Sequence, residues 1–412
     1  MKILNLIKRS TVSLRHITLA AALGLLCIPG QAIADTTISS GGTFTIDANN
    51  TIVDGITTTW NDTGTLTMEN DATLQTWPAQ NIEVANNAAL VFAGSGGTYT
   101  LRFNDNDTKF TYNGPISSTA SGAQTLSIVF GNNGNGDRES IIFNTAIPDV
   151  SDASALSLTA KFTTQTGSQS YLSLAGVNTF TGPISLVKGN SVLNAYLTIG
   201  GVMTKDGNTS GSGNLGNGNY AGAISLDTST HLHYDSSSDQ ILAGVISGPG
   251  KLDKDGSGTL TLSGHNTYVG DTTVTKGTLV LDAAGTLTCA VTNAASNKIT
   301  GAGIANLDGA LNIDTSAVTL VSGSWTLVDV TTPTYGSSFS VGGFTGSAGV
   351  WTKVDGGKTW TFDTTTGKLS VSGPALLTSF TILGYPAVID NTGKTVQLSV
   401  PSGSDLTSLV PT

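Results

Sequence analysis

Apolar and polar residues alternate in short runs over most of this chain, which is the pattern of half-buried β-strands. GTLTM (64–68), TYTLRF (98–103) and TLTLSG (259–264) are examples, and Gly, Asn or Asp separates such runs from one another. No segment after residue 34 repeats its apolar residues at helical spacing. The pattern therefore predicts an all-β chain of many short strands joined by tight turns.

The spacing of four apolar residues bears on how these strands are arranged. Leu66, Leu74, Ile82 and Leu90 follow one another at intervals of eight residues, each close to turn-forming residues. Such regularity is typical of a solenoid whose coils turn at tight corners. A meander of β-hairpins gives similar spacing, so the interval alone leaves both arrangements open.

The composition favours a long, thin core over an ordinary globule. Only 11% of the residues are charged and 38% are apolar, while 51 of the 412 residues are Gly. Disordered chains combine low hydrophobicity with high net charge, so this chain does not belong to that class. Its Val, Ile and Leu alternate with Thr and Ser, which suits a narrow β-structured core.

An internal repeat is the most specific signal in the sequence. SLAGVNTFTGPISLVKGNSV (173–192) aligns without gaps on TLSGHNTYVGDTTVTKGTLV (261–280), with eight of twenty positions identical. Gly and Asn recur at matching positions, and Phe180 corresponds to Tyr268. Since Gly supplies backbone angles closed to other residues and Asn bonds its own backbone in turns, the repeat conserves turn chemistry.

The later copy, together with ISGPGKLDKDGSG (246–258), resembles the autotransporter-associated β-strand repeat. That repeat has a Gly-x-Gly-x-Leu strand, an Asn-Thr-Tyr-x-Gly turn and a Gly-x-Leu strand, all of which recur within 246–281. The resemblance implies a right-handed parallel β-helix in an exported bacterial protein. It implies no defined enzymatic activity and no set of catalytic residues.

The N-terminus has the features of a secretory signal peptide. A basic stretch precedes the apolar run ITLAAALGLLCI (17–28), and Ala32-Ile33-Ala34 fits the small-x-small cleavage pattern. We expect cleavage after Ala34. The alternative, an uncleaved anchor, requires a longer apolar run to span a bilayer.

The rest of the chain divides into three predicted segments. A β-solenoid occupies 35–309, with repeats at 173–192 and 246–281, and a polar turn-forming stretch at 205–220 is expected to bulge from it. Terminal coils or a β cap occupy 310–373, with a hairpin at Asp355-Gly356-Gly357. Residues 374–412 resemble half of a small immunoglobulin-like sandwich.

The charge of the chain argues against nucleic acid as a partner, and its cysteine content argues against a disulfide bond. Residues 1–34 hold four of the 18 Lys and Arg and no acid, so the remaining chain has 14 basic and 28 acidic residues, a net charge of −14. Nucleic acid binding needs clustered basic residues and is not expected. We predict no transmembrane segment after residue 34. Cys289 is the one cysteine there, which rules out an intrachain disulfide and indicates a small buried side chain.

Three histidines offer candidate chemistry. His231 and His233 stand two apart on a predicted strand, so both face the same way, and Asp235 lies on the same face. They form a metal pair if a neighbouring coil supplies a further ligand, and otherwise a solvated strand face. His265 aligns with Val177 in the earlier repeat, so a catalytic role there is not expected.

Acidic loops suggest a second kind of site. Asp105, Asp107 and Asp137 lie in Asn-rich loops, and 131–137 partly resembles a Gly- and Asp-rich calcium repeat. We expect no bound cofactor, and Ca²⁺ is the one alternative that these loops leave open. Most other Asp residues adjoin Gly, Asn or Thr, which is typical of turns. Paired carboxylates for glycoside cleavage remain open, because β-helix enzymes assemble their sites across coils.

These observations favour a secreted or cell-surface β-solenoid with a structural or adhesive role and no catalytic residues. Its expected partners are an extracellular polysaccharide, a host or cell surface, or further copies of itself. One alternative is a carbohydrate-binding or carbohydrate-cleaving β-helix protein, such as a polysaccharide lyase or hydrolase. Another is the passenger of an autotransporter-like system without a translocating barrel of its own.

Overall fold

The computed structural model describes the chain from residue 36 to residue 403, with gaps. The described ranges are 36–38, 43–47, 52–54, 57–60, 65–69, 71–77, 83–86, 89–103, 109–130, 139–149, 155–163, 169–189, 192–374, 379–382 and 385–403. The expected signal peptide with its cleavage site after Ala34, and the calcium candidates Asp105, Asp107 and Asp137, lie outside them.

Short strands follow one another from the start of the described residues. They lie in parallel ladders, apart from the antiparallel pair β3 and β4. The first fifteen are β1 (Thr36–Ile38), β2 (Thr43–Asp47), β3 (Ile52–Asp54), β4 (Thr57–Trp60), β5 (Thr65–Met68), β6 (Thr73–Trp77), β7 (Glu83–Asn86), β8 (Ala89–Phe92), β9 (Ser95–Phe103), β10 (Lys109–Tyr112), β11 (Ile116–Ser118), β12 (Ser121–Phe130), β13 (Glu139–Phe143), β14 (Leu156–Phe162) and β15 (Gln169–Leu174).

The middle of the chain continues the same parallel stack. The antiparallel hairpin of β19 with β20 interrupts it, and a 3₁₀ turn spans Gly216–Gly218. The strands here are β16 (Val177–Asn178), β17 (Ile184–Lys188), β18 (Asn194–Ile199), β19 (Val202–Thr204), β20 (Gly207–Thr209), β21 (Asn214–Leu215), β22 (Asn219–Tyr220), β23 (Ile224–Leu226), β24 (Thr230–Tyr234), β25 (Gln240–Leu242), β26 (Ile246–Ser247), β27 (Lys251–Lys254), β28 (Thr259–Leu262), β29 (His265–Asn266), β30 (Thr272–Val274) and β31 (Thr278–Leu281).

The last part begins with parallel coils and ends in antiparallel structure. Its strands are β32 (Thr286–Thr292), β33 (Ile299–Leu307), β34 (Ala310–Ala317), β35 (Ser322–Thr326), β36 (Val328–Tyr335), β37 (Ser340–Val341), β38 (Thr345–Ser347), β39 (Val350–Asp355), β40 (Lys358–Asp363), β41 (Lys368–Ser372), β42 (Thr381–Ile382), β43 (Tyr385–Pro386), β44 (Val388–Asp390) and β45 (Thr395–Gln397).

The chain visits three faces in a fixed cyclic order, which makes it a parallel β-helix. The first face runs from β4 through β7, β10, β13, β15, β18, β24 and β27 to β30, and continues into β33 and β36. The second contains the β1-β5-β8-β11 sheet and later β22, β25, β28 and β31. The third contains the sheet from β2 to β26 and then β29, β32, β34 and β37. This arrangement confirms the all-β solenoid and excludes the hairpin meander for these strands.

The eight-residue interval is explained by the three faces. Leu66 and Leu74 lie on successive faces, and Leu66 pairs with Leu90 on the next coil of the same face. All three side chains are buried. Leu66 and Leu74 therefore mark inward positions on successive faces, and three intervals of eight separate Leu66 from its partner Leu90; Ile82 lies outside the described residues.

Coil length varies along the stack. His231 pairs with Lys251 twenty residues later, and Leu252 pairs with Thr272 after the same interval. Tyr196, by contrast, pairs with His231 thirty-five residues later, because the β19–β20 hairpin and the following turn lie between them. The shortest coils thus coincide with the stretch that resembles the repeat family.

Buried side chains of like character stack along the axis. On the first face each coil contributes an apolar residue in register, in the order Phe110, Ile141, Leu172, Leu197, Leu232 and Leu252. Aromatic rings stack in the same way, for example Phe130 on Phe162 with centroids 4.7 Å apart. The core is therefore a continuous column rather than a central cluster.

Asn178 and Asn266 explain why the internal repeat recurs. Both are fully buried and each accepts a hydrogen bond at Oδ1 from a backbone N–H of the preceding coil, that of Ile147 and Ile246 respectively, at 3.0 Å. Each Nδ2 donates to the carbonyl of the Gly two residues earlier. The Asn side chain thus satisfies backbone groups at a corner where the strand ladder stops.

The C-terminal end of the solenoid is covered by antiparallel structure. A five-stranded sheet in the order β35-β41-β40-β39-β38 buries Trp325 against Trp360, with centroids 6.0 Å apart. The predicted hairpin at Asp355-Gly356-Gly357 is confirmed, since β39 pairs with β40 and both glycines have positive φ. Beyond residue 374, the described strands form two separate two-stranded ladders, β42 with β43 and β44 with β45. Among the described residues there is no helix with the length and apolar character needed to cross a membrane.

Candidate functional site

Strand β24 differs from its neighbours because both of its sides are buried. Leu232 and Tyr234 point into the core, so His231 and His233 point outward by strand alternation. Nevertheless His231 is 9% and His233 only 4% exposed. The prediction of a solvated histidine face is therefore wrong, because the residues that surround the outer side of β24 also exclude water from it.

The β19–β20 hairpin lies beside this outer face. Met203 in the hairpin donates its backbone N–H to Ser173 Oγ at 3.0 Å, which fixes β19 to the first face. The hairpin tip is exposed, as expected for the polar stretch, whereas β21 and β22 within 205–220 return to the solenoid as paired strands. The expected bulge is thus a hairpin followed by ordinary coil.

His231 forms a close pair with a residue of the next coil. Its Nδ1 lies 2.6 Å from Asp253 Oδ2, and its Nε2 lies 3.4 Å from Asn194 Oδ1 on the preceding coil. Its ring packs on Tyr196 with centroids 4.5 Å apart, and Tyr196 stacks on Tyr171. Both ring nitrogens of His231 therefore have polar partners.

His233 faces a different carboxylate. Its Nε2 lies 3.5 Å from Asp255 Oδ2, and its Nδ1 lies 3.2 Å from the hydroxyl of Thr198, which is fully buried. Asp235 follows β24 and is also fully buried. Ligand atoms of His233, Asp235 and Asp255 all lie within 4.8 Å of one another.

The hairpin contributes polar side chains to the same cluster. Asn208 Nδ2 donates to Asp235 Oδ2 at 3.1 Å and to Asp255 Oδ2 at 2.9 Å. Ser210 donates its hydroxyl to the other oxygen of Asp235. One amide group thus holds two carboxylates of successive coils together.

The two carboxylate oxygens of Asp255 have unequal surroundings. Its contact with His233 lowers the pKa of the Asp255 carboxyl below the ordinary value, although partial burial opposes this shift. Oδ1 of Asp255 is buried and forms no hydrogen bond, and the nearest cation among the described residues is Lys276 Nζ at 3.9 Å. A buried acceptor without a hydrogen bond costs about 1–3 kcal/mol.

Lys254 precedes Asp255 in the sequence, but its ammonium group binds backbone carbonyl oxygens and not the carboxylates of the cluster. It is fully buried, and its Nζ donates to the carbonyl oxygens of Gly256 and, at 3.1 Å, of Lys276. Nζ also lies 5.6 Å from the centre of the Tyr234 ring. Burial lowers the pKa of Lys254 to about 8, although the nearby carboxylates oppose this effect.

The donor atoms at this place define what chemistry is available. An imidazole nitrogen together with two carboxylate oxygens is a set that first-row divalent metals such as Zn²⁺ bind, whereas Ca²⁺ takes six to eight oxygens. The metal pair considered from the sequence required a further ligand from a neighbouring coil, and Asp255 of the next coil lies within reach of His233. His231, however, is directed to Asp253 and not to the cluster.

Sequence reasoning missed Asp255 because it precedes Gly256 and resembles a turn residue. The signal that identifies it is the coil length. HLHYD (231–235) is followed twenty residues later by KLDKD (251–255), so Asp235 and Asp255 occupy equivalent positions on successive coils. A coil length of twenty brings them together.

The other candidates have ordinary surroundings. His265 is exposed and lies 3.4 Å from Thr286 Oγ1. Tyr99 is fully buried and stacks on Phe92, so its ring is not available to a ligand. Cys289 is buried as predicted, and burial raises the pKa of its thiol to about 12.

Comparison with known families gives one match. Residues 252–281 match the family model of the passenger-associated-transport-repeat. No curated protein and no solved structure matches the chain. The matched residues run from β27 to the end of β31 and contain Asp255, Asn266 and the glycines of the corners. This family implies an exported protein of the passenger type, and residues 252–281 are identified as one of its repeats, as the sequence resemblance had indicated.

Proposed function

We propose that this protein is an exported, non-catalytic β-solenoid that acts outside the cell in adhesion or self-association, in the manner of an autotransporter passenger. The observation that carries the proposal is the place of the matched repeat. Residues 252–281 lie within a parallel stack that continues on either side of them, so the repeat shares the architecture of the coils around it. Its buried side chains form the corners and the core of the coil, as Asn266 and Leu260 do.

The outer surface of these coils supports a role in contact with large partners. On the second face, Thr259 pairs with Thr278 and Thr261 with Val280, and all four are only partly buried. Parallel coils repeat such rows along the axis at about 4.8 Å. A regular row of hydroxyl and methyl groups suits a polysaccharide, a cell surface or a second copy of the chain.

Localisation is the first test of this proposal. Cells that produce the full chain are fractionated into cytoplasm, membranes and medium, and the N-terminus of the recovered protein is sequenced. We expect the protein at the surface or in the medium, beginning at Asp35. Protein that accumulates folded in the cytoplasm with residues 1–34 attached would refute export.

Adhesion is tested separately with the purified protein. Binding to immobilised polysaccharides and to intact cells is measured beside concentration-dependent light scattering, which reports self-association. We expect saturable binding or association without any change in the polysaccharide. The lack of both would leave the adhesive role without support and would count against it.

The two His–Asp pairs are the observation that favours the alternative, a carbohydrate-cleaving protein. Histidine next to a carboxylate is a common acid–base arrangement, and His231 lies 2.6 Å from Asp253. Release of reducing ends or of unsaturated sugars from a panel of polysaccharides decides between the two functions. Activity that His231→Ala abolishes and His265→Ala retains would replace our proposal by the enzymatic one.

A further inference from the structure

We infer that His233, Asp235 and Asp255 bind one divalent transition-metal ion of the zinc type, and that this ion fastens the β19–β20 hairpin to two successive coils. The inference concerns stability outside the cell and holds for a passenger of any ligand specificity. It begins with the register of the solenoid. Asp235 and Asp255 occupy equivalent positions twenty residues apart, so the stack forces two carboxylates together.

Two carboxylates at neighbouring levels repel each other unless a positive charge lies between them. The buried Lys254 attracts both carboxylates from a distance but does not bind them, because its ammonium group donates its hydrogen bonds to the carbonyls of Gly256 and Lys276. The Lys276 side chain is 66% exposed and stays 3.9 Å from Asp255 Oδ1. The cluster therefore has more buried negative charge than its neighbouring lysines directly neutralise.

His233 is the second, independent observation that points to a metal. Its side chain is 95% buried, with 5% exposed, and its Nε2 faces Asp255. Thr198 lies 3.2 Å from the opposite ring nitrogen. Metal-binding histidines characteristically donate this second N–H to an oxygen, which orients the ring and leaves the other nitrogen free to coordinate.

The distance between the donor atoms also fits a metal better than a hydrogen bond. His233 Nε2 and Asp255 Oδ2 are 3.5 Å apart, which is longer than a normal N–H···O hydrogen bond. Two ligands bound at about 2.0–2.1 Å to a tetrahedral zinc ion lie roughly 3.3–3.4 Å apart. Only small movements are needed, since all three ligand atoms lie within 4.8 Å of one another.

Asn208 supplies a fourth donor. Its side-chain amide contacts both carboxylates, at 3.1 and 2.9 Å. Rotation of this amide by half a turn replaces Nδ2 by Oδ1 and directs an oxygen at the same place. The ion then joins the hairpin, the coil of β24 and the coil of β27, in a chain whose only cysteine after residue 34 is Cys289.

Zinc binding by the purified full chain tests the inference. The protein is stripped with EDTA and titrated with Zn²⁺, and bound metal is counted by elemental analysis while affinity is measured with a competing chelator dye. We expect one Zn²⁺ per chain and a melting temperature that rises with the logarithm of free Zn²⁺. Co²⁺ should give the visible absorption of a four- or five-coordinate site, and Ca²⁺ at equal concentration should leave the melting temperature unchanged.

Variants locate the site. Asp255→Asn keeps the size of the side chain and should weaken Zn²⁺ binding by roughly 100-fold or more, beyond the effect of losing an outer-shell partner. His233→Ala should weaken Zn²⁺ binding in the same way. Asn208→Ala, which removes the fourth donor, should also weaken it, and this variant carries little risk to folding because Asn208 lies on the exposed hairpin. Asp253→Asn, in the neighbouring His–Asp pair, and His265→Ala are matched controls that should bind Zn²⁺ with the affinity of the wild type.

The inference is overturned if the wild type takes up no stoichiometric Zn²⁺. It is equally overturned if Asp255→Asn, shown to be folded by circular dichroism, binds Zn²⁺ as the wild type does. A loss of binding in His265→Ala but not in the cluster variants would place the metal elsewhere and also refute it.

Discussion

Lys254 takes an inward position that neighbouring coils give to other side chains. In register with it stand Tyr234 on the preceding coil and Val274 on the next. The ammonium group is stabilised by carbonyl oxygens at the corner rather than by a carboxylate. Its pKa near 8 reflects the cost of keeping a charge in this position.

The pH dependence of stability should reveal this buried charge. The folded-state pKa of about 8 lies below the ordinary 10.5, so between these values the unfolded chain binds more protons. The penalty is full below pH 8 and disappears as the pH rises towards 10.5. Between pH 7.5 and pH 10 we expect wild type to gain on the order of 2 kcal/mol in free energy of unfolding relative to Lys254→Met.

Urea unfolding at both pH values measures this difference. Lys251→Met, which changes an exposed lysine of the same strand, is the control and should follow the wild-type profile. Parallel pH profiles for wild type and Lys254→Met would show that the Lys254 ammonium keeps its ordinary pKa in the folded protein.

At the scale of the element, the corner is the unit that recurs. The first copy leads from β15 on the first face through Asn178 to β17 on the third face. The second leads from β28 on the second face through β29 on the third face, which ends at Asn266, to β30 on the first face. The same corner chemistry thus serves two different corners of the coil.

Removal of the corner amide should be costly. Asn266→Ala leaves the buried N–H of Ile246 without its acceptor, so we expect a loss of about 1–3 kcal/mol in free energy of unfolding. His265→Ala, on the adjacent exposed residue, should change it by less than about 0.5 kcal/mol. Chemical denaturation of both variants gives the comparison, and equal losses would contradict the role assigned to Asn266.

Glycine at the corners permits close approach of successive coils. Gly244 and Gly264 stand in one column, and a Cβ on Gly264 would lie 2.2 Å from the carbonyl oxygen of Gly244. Because that neighbour is backbone, the coil itself must shift. Gly264→Ala should therefore cost at least about 2 kcal/mol, whereas Ser257→Ala on the surface of the same region should be nearly neutral. Thermal unfolding distinguishes them, and a Gly264→Ala protein as stable as wild type would show that the coils separate easily.

These elements also show how far the sequence predicts the structure. Alternation of Leu260 and Leu262 with Thr specified the strands, and Gly and Asn specified the corners. The sequence did not predict on which faces of the coil the two copies of the internal repeat lie, since every corner accepts the same residues. Asp255 was assigned to a turn, because its partners His233 and Asp235 become neighbours only when the coil length is known.

At the scale of the whole molecule, contacts connect each coil chiefly to its two neighbours. Stability in such a stack is a sum of local terms rather than a property of one core. The antiparallel sheet from β35 to β41 covers the C-terminal end, where Trp325, Trp360 and Phe362 are buried. It closes a column that would otherwise present apolar side chains to water.

A substitution that destabilises this antiparallel sheet should therefore increase local unfolding at the C-terminal end of the solenoid and leave the central coils folded. Trp360→Ala removes a buried aromatic side chain and its stack on Trp325, at a cost of about 3–5 kcal/mol. In hydrogen exchange followed by mass spectrometry, we expect faster exchange in 322–372 and unchanged exchange in 252–281. Trp351→Ala, which alters a half-buried tryptophan of the same sheet, should give the same pattern more weakly. If exchange accelerated equally in both regions, the coils would unfold as one cooperative unit, and the cap would then govern the stability of the repeat segment itself.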